Sequence, residues 1–416
     1  MAFKQVRLGD YFRFEKGLGY KGEFLAEESD VALIGMDSHN DGGGYKHDSE
    51  KPYSGPYKAE HIASTGDVIF AATEQGFGLL ASPLIVPESE KFQTFIYSHH
   101  VLKAFPIQDG FLPEYLYNVY RVERYRSKAA YGDTGTTVRA IPSEVMEEQL
   151  VPLPELPVQQ AINEIISLMD QHVENNKSLS RNLESLAQSL FKSWFIDFEP
   201  VHAMKSGEKP FGMDAETAGL FPDSFVTSEI GDIPKGWILN TLGDSVIPKK
   251  GRSITKASTV DGEVPVVAGG LQPAYFHNKA NVSHPAVTIS ASGANAGYVR
   301  LYHKDIWASD CSYISTEMTK NVFFWYLFLK INQGQIYGMQ QGGAQPHIYP
   351  SDLKRLNTCN SKSEHLTNKF EETVAPLFLE IRQLELQNDS LAKLMSSLLP
   401  RLVSGDLIIL EEMLVQ

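Results

Sequence analysis

Between Pro154 and Phe195, apolar residues return at alternating intervals of four and three. Ile162, Ile166, Met169, Val173, Leu183 and Leu190 keep that spacing, Asn176 stands in the same stripe, and Leu179 and Leu186 widen it. Pro157 fits the first turn of a helix, where its missing N–H costs nothing, and no further proline or glycine follows until after Phe198. The pattern predicts an amphipathic helix of roughly 38 residues, about 55–60 Å long at ~1.5 Å per residue. A helix of that length needs a partner along its stripe, because a short compact domain cannot cover it.

The pattern returns from Ser361 to Leu399, where Phe370, Val374, Leu377, Ile381, Leu384, Asn388, Leu391, Met395 and Leu398 hold the same alternation. Ser361 and Glu364 read as a capping box, Pro376 as a kink or a delay of the regular part, and Pro400 as the end. Two such helices in one chain predict a coiled coil, parallel or antiparallel. Asn176 and Asn388 either set its register from within the seam or reach solvent at its edge.

The remaining sequence reads differently. Short apolar runs bounded by glycine and polar residues, VALIGMD (31–37), GDVIFAAT (66–73), VPVVAG (264–269), AVTISAS (286–292) and AGYVRLY (296–302), fit buried strands. EYLYNVYRVERYRSK (114–128) and NVFFWYLFLKI (321–331) read as helices. These runs lie in two stretches that repeat in order. Leu8-Gly9-Asp10 corresponds to Leu242-Gly243-Asp244, the run from Gly66 to Phe70 to that from Pro285 to Ile289, and Gly78 to Gly297. The segment from Gly135 to Arg139 corresponds to that from Gly343 to His347, Pro142-Ser143 to Pro350-Ser351, and Glu184-Ser185-Leu186-Ala187 to Asp389-Ser390-Leu391-Ala392. The expected fold is α+β: two globular α/β domains in tandem pseudo-two-fold repeat, separated by two long helices pairing as a coiled coil. The boundaries fall at 1–153 for the first domain, 154–200 for the first helix and 201–232 for a connector. They continue at 233–357 for the second domain, 358–400 for the second helix and 401–416 for a tail.

Composition adds limits. With 42% hydrophobic and 21% charged residues the chain is an ordinary globular sequence. Cys311 and Cys359 have no CxxC spacing, so neither a disulfide framework nor a zinc site is implied, and a reducing, cytoplasmic setting is expected. The N-terminus lacks an apolar signal core, and the most apolar run, Val322 to Leu329, is too short to span a bilayer. The net charge of −14 opposes free-standing nucleic-acid binding, although a local basic surface can coexist with an acidic total.

No phosphate-binding loop, methyl-donor fingerprint or nuclease metal triad is legible, and no cofactor or catalytic residue is expected. Gly17-x-Gly19 and Gly76-x-Gly78 suit tight turns. His99-His100, read as adjacent strand residues, point to opposite faces and make a poor ligand pair.

Pro152-Leu153-Pro154 with Gln159 and Ala161-Ile162, followed by LESLAQSLFKSWFIDFEPV (183–201), resembles the central region of type I restriction–modification specificity subunits. Phe221-Pro222-Asp223-Ser224-Phe225, with the run from Glu229 to Trp237, resembles the phrase before that family's second target-recognition domain. Leu398-Leu399-Pro400-Arg401-Leu402-Val403-Ser404-Gly405 resembles its C-terminal helix end. The resemblance covers essentially the whole chain. It implies a subunit without catalytic activity whose two domains each read half of a bipartite site in double-stranded DNA. Its helices would hold the halves apart and dock two methyltransferase subunits, with motor–nuclease subunits joining in the full complex.

Residues that could read DNA follow from side-chain chemistry on polar, glycine-flexed loops, since Arg and Lys suit guanine or phosphate and Asn and Gln suit adenine. In the first domain they are Lys16, Lys21, Thr73, Gln75, Thr136, Thr137 and Arg139. In the second they are Lys249, Lys250, Arg252, Gln272, Ser292, Asn295, Gln341, Gln345 and His347, with Lys249-Lys250-Gly251-Arg252 the best phosphate contact. The cations Arg121, Arg124, Arg126 and Lys128 suit a helix C-terminus as well as they suit DNA. A coiled-coil adaptor that joins proteins without reading DNA is the alternative, and the acidic net charge favours it.

Overall fold

The computed structural model describes residues 3–47, 49–74, 78–130, 132, 139–342 and 345–407. The chain divides into two compact units, residues 1–174 with 388–416, and residues 175–387. Each unit takes part of both long helices, which run Leu156–Phe195 and Glu364–Ser404.

In unit 1 an antiparallel sheet is ordered Phe12–Lys16, Val101–Pro106, Val68–Ala71, Pro83–Ile85. A second sheet pairs Val31–Ile34 in parallel with Thr94–Tyr97. Lys4–Arg7 pairs with Leu150–Leu153, the strand that leads into the first long helix. Helices Pro113–Arg121 and Glu123–Ala130 cover the first sheet and place Tyr115, Leu116, Tyr120 and Tyr125 in one core with Phe12, Phe14 and Phe70.

Unit 2 repeats this plan. Its antiparallel sheet is ordered Lys249–Lys250, Cys311–Ser315, Ala286–Ser290, Val299–Tyr302, and Val264–Val267 runs parallel to Trp307–Ala308. Trp237–Thr241 pairs with Asn357–Ser361, the counterpart of the strand leading into the helix in unit 1. The all-apolar segment Val322–Ile331 is the buried helix. Its eight residues from Val322 to Leu329 are all buried, which explains why its sequence shows no polar stripe.

Sequence matches between the halves reflect packing. Gly9 and Gly243 each lie in a helical turn that is tightly packed in the same way: an added Cβ would lie 3.0 Å from Glu147 Cβ or from Lys354 Cβ. Gly78 and Gly297 both adopt positive φ, 121° and 88°, which favours glycine.

In unit 1, Ile162 and Ile166 are buried with Leu399, Leu402 and Val403, and Met169 and Leu398 flank them. In unit 2, Leu183, Leu190 and Leu377 pack on a core holding Val374, Phe378 and Ile381, and Leu384 is buried. Asn176 is 6% exposed and donates to the Gln387 side chain at 3.3 Å. As the first helix advances from Asn176 to Phe191, its contacts retreat from Gln387 to Phe370, so the pairing is antiparallel. Val173, Asn388 and Leu391 are half-buried. Leu179 and Leu186, which widen the apolar face in the sequence, stay exposed at 44% and 49%, outside the buried seam.

Prolines behave differently from expectation. Helix Glu364–Ser404 runs through Pro376 and past Pro400. Pro376 lies on the solvent side, so the carbonyl it orphans meets water, while Phe370, Val374 and Phe378 hold the buried side in register. The helix begins at Glu364, after the strand that ends at Ser361. Just past the end of the first long helix, Phe198 takes a left-handed conformation at φ 53° and stacks edge-on against Trp237 at 5.5 Å.

Each long helix also ties down the globular helix beside it. Gln159, fully buried, accepts from Leu112 N–H at 2.9 Å and donates to Gly110 and Pro154 carbonyls at 2.8 Å. The Glu371 carboxylate accepts from Phe323 and Phe324 N–H at 3.0 and 2.8 Å, at the opening turn of the buried helix. Burial pushes the Glu371 carboxyl up to about 7, against the pull of those donors. Its unfolded value is 4.5, so between about pH 4.5 and 7 the folded chain holds the extra proton, and stability falls as pH rises through that window. Thermal melts of the full chain at pH 5 and pH 8 will show a smaller loss on going to pH 8 for Glu371→Gln than for the unsubstituted protein.

Candidate nucleic-acid interface

The ladder registers place the polar loops of the two units in equivalent positions. In unit 1, Lys16 faces Leu102, which faces Phe70. In unit 2, Lys250 faces Ser312, which faces Ile289. Lys16 and Lys250 therefore end equivalent strands, each followed by a glycine without room for a side chain. An added Cβ on Gly17 would overlap the Tyr97 carbonyl oxygen, and one on Gly251 would overlap that of Ser309. These contacts hold the cation-bearing strand end against the turn that precedes the next strand.

That turn is built alike in both units. Ser98 N–H donates to Ile34 carbonyl at 2.9 Å and Ser309 N–H to Val267 carbonyl at 2.8 Å. Ala72 N–H donates to His100 carbonyl at 3.0 Å and Ala291 N–H to Asp310 carbonyl at 3.2 Å. A third segment closes over each: Ile141 N–H donates to Ala72 carbonyl at 2.8 Å and Ile348 N–H to Ala291 carbonyl at 3.0 Å. The register is one residue off the sequence match, since Ala140 and not Arg139 takes the place of His347.

Side chains differ on this common backbone. The Thr73 hydroxyl lies 3.1 Å from His100 Nδ1, and the Ser292 hydroxyl donates to the Asp310 carboxylate. Thr73 is 8% exposed, so it belongs to the floor of the edge. Burial, with His99, Lys51 and Lys16 adding to it, holds the His100 imidazole below its ordinary value. His99 and His100 occupy a turn, where strand alternation does not apply, and their rings sit 3.9 Å apart. Among the described residues no group of three His, Cys, Asp or Glu could hold a metal ion.

The other predicted residues distribute as follows. Lys16, Lys249, Lys250 and Arg252 are exposed and form no ion pair among the described residues. Lys21 lies 3.5 Å from Glu23. Gln341 and His347 form a bridge through their backbones, Ser292 pairs with His347, and Gln341 donates to Asp352 at 3.0 Å. Gln272 and Gln345 are exposed and Asn295 half-buried. Gln75, Thr136 and Thr137 lie outside the described residues.

Arg139 is occupied: it donates to buried Glu74 at 2.7 Å, at the wall of a 510 Å³ cavity. Arg121 forms a two-point ion pair with Asp170 at 2.6 and 2.9 Å, and Arg126 donates to the Tyr120 carbonyl. The helix-end cations thus have structural partners. Asp310 carries no sequence signal beyond its place just before a strand, and His100 stands out in the sequence only as half of the His99-His100 pair.

Residues 234–357 match the family model described as type I restriction modification DNA specificity domain. The MjaIX specificity subunit of Methanocaldococcus jannaschii is 24% identical over 321 residues, 72% of this chain and 70% of the relative. The HindI specificity subunit of Haemophilus influenzae is 23% identical over 418 residues, 85% of this chain and 89% of the relative. Residues 234–357 thus carry the type I restriction modification DNA specificity domain, and most of the chain is similar to type I restriction enzyme specificity subunits. The crystal structure of such an S subunit from M. genitalium has the same fold, with a TM-score of 0.51 at 16% identity over 96% of both chains. Within 183–201, the stretch with the strongest resemblance, the residues Ala187, Phe191, Trp194, Phe195 and Val201 lie in the core of unit 2.

The glycine contacts generate a prediction. Gly17→Ala forces the Phe12–Lys16 strand off the Tyr97 turn and lowers stability by about 1–3 kcal/mol. Gly19→Ala, which meets nothing within 4 Å, leaves the melting temperature unchanged.

Proposed function

We propose that this specificity subunit is a non-catalytic, cytoplasmic DNA reader whose two units each recognise one half of a bipartite double-stranded site. The carrying observation is the duplicated polar edge: one backbone frame, occurring twice, presents Thr73 and His100 in unit 1 and Ser292 and Asp310 in unit 2. Constant backbone with changed side chains is what two different half-sites require. The exposed cations Lys16, Lys249, Lys250 and Arg252 contact phosphate and supply register rather than sequence choice. Local positive charge of this kind is compatible with an acidic total.

The antiparallel helix pair sets the base pairs between half-sites. A helix of 40 residues spans about 60 Å, which corresponds to one to two turns of DNA. Exposed leucines at 179, 186, 379 and 386, all on the helix segments of unit 2, support docking of methyltransferase subunits, with motor–nuclease subunits joining in the full complex.

Sequencing the methylated sites made by the complex tests this reading, and a continuous, unsplit recognition sequence would overturn it. Deleting seven residues from each long helix at matched levels removes two turns, about 10 Å, and shortens the spacer by about three base pairs with unchanged half-site bases. Replacing Lys249, Lys250 and Arg252 by glutamine weakens binding alike across sequences and reduces the salt slope by about 0.9 for each phosphate no longer neutralised. An adaptor that never reads DNA would show no sequence preference at any salt concentration.

A further inference from the structure

We infer that Asp310, held by Ser292, reads an exocyclic base amine in the half-site of unit 2, and that His100, held by Thr73, is its counterpart in unit 1. The inference rests on the DNA-reading function proposed above and names the residues that set specificity.

The turn bearing each residue is already fixed by backbone hydrogen bonds to Ala72 or Ala291, so the side-chain pair is not needed to fold it. One Asp310 carboxylate oxygen accepts from Ser292; the other has no hydrogen-bond partner among the described residues, and Asp310 forms no ion pair there. This is so although the neighbouring strand supplies Lys249, Lys250 and Arg252, and Gly251 packs directly on the same turn. A half-buried carboxylate beside phosphate-binding cations is repelled by the DNA backbone. It is compatible with bound DNA where a donor meets it, and in the major groove the donors are the exocyclic amines of cytosine and adenine. A carboxylate suits the cytosine amine best. The Ser292 bond fixes the carboxylate orientation and leaves its second oxygen for that donor.

His100 has different chemistry at the same place. Its Nδ1 is taken up by Thr73, and its Nε2 has no partner among the described residues. The two half-sites should therefore differ at the base pair met by this position.

The experiment is methylated-site sequencing in cells carrying the full complex with either the unsubstituted chain or Asp310→Asn. An asparagine at this position favours adenine. The expected result is a change at one base pair of one half-site, with preference for the original base reduced roughly ten- to a hundredfold, and an unchanged second half-site and spacer. His100→Asn should alter the other half-site alone, which keeps the test decisive if one variant is unstable. Unchanged bases in both half-sites, or a uniform loss of methylation at all sites by folded protein with unaltered melting, overturns the inference. If the unsubstituted chain itself directs no bipartite methylation, the proposed function fails instead.

Discussion

Desolvation of the helix seam is the interaction on which both units depend. A helix of 40 residues with a single apolar stripe gains little from its own hydrogen bonds in water and persists through burial of that stripe. In unit 2 the burial is aromatic: Phe370 lies 5.6, 5.2 and 5.1 Å from the rings of Phe191, Trp194 and Phe195. In unit 1 it is aliphatic, with Ile162 and Ile166 against Leu399, Leu402 and Val403. The seam is also part of the globular cores. Phe324 of the buried helix and Trp237 of the leading strand join the same aromatic cluster. Left-handed Phe198 is retained because Trp237 and Phe225 receive its ring.

Upon this base the two units separate scaffold from chemistry. Polar tethers recur with different groups: a neutral amide, Gln159, in one unit and a half-buried carboxylate, Glu371, in the other. The polar edge follows the same rule. Gly17 and Gly251 are dictated by the approach of a neighbouring carbonyl, whereas the turns bearing His100 and Asp310 are held by backbone hydrogen bonds and carry different side chains. Positions that hold the frame are therefore constrained by sterics, and the side chains set upon it differ between the units.

Much of the frame is legible in residue order. The four-three alternation marks both helices, the apolar run from Val322 to Leu329 marks the buried helix, and runs such as 286–292 contain strands. Expectations that fail share a cause: a local rule yields where a tertiary contact prevails. Pro376 does not interrupt its helix because its solvent side accommodates the missing hydrogen bond. His99 and His100 meet ring to ring because they sit in a turn. Thr73 and Arg139 resemble exposed binding groups in the sequence, yet one is buried and the other held by Glu74.

What the sequence by itself determined is periodic or repeated: two long amphipathic helices, a duplicated α/β unit and the resemblance to specificity subunits. Each follows from spacing along the chain, which a single sequence displays. Tertiary structure alone decided the antiparallel sense of the seam, since an apolar stripe is equally compatible with either direction. It also decided which polar residues share an edge. Lys250, Ser292 and Asp310 are far apart in the chain, and only the order of strands in the sheet and the close approach of Gly251 bring their segments together.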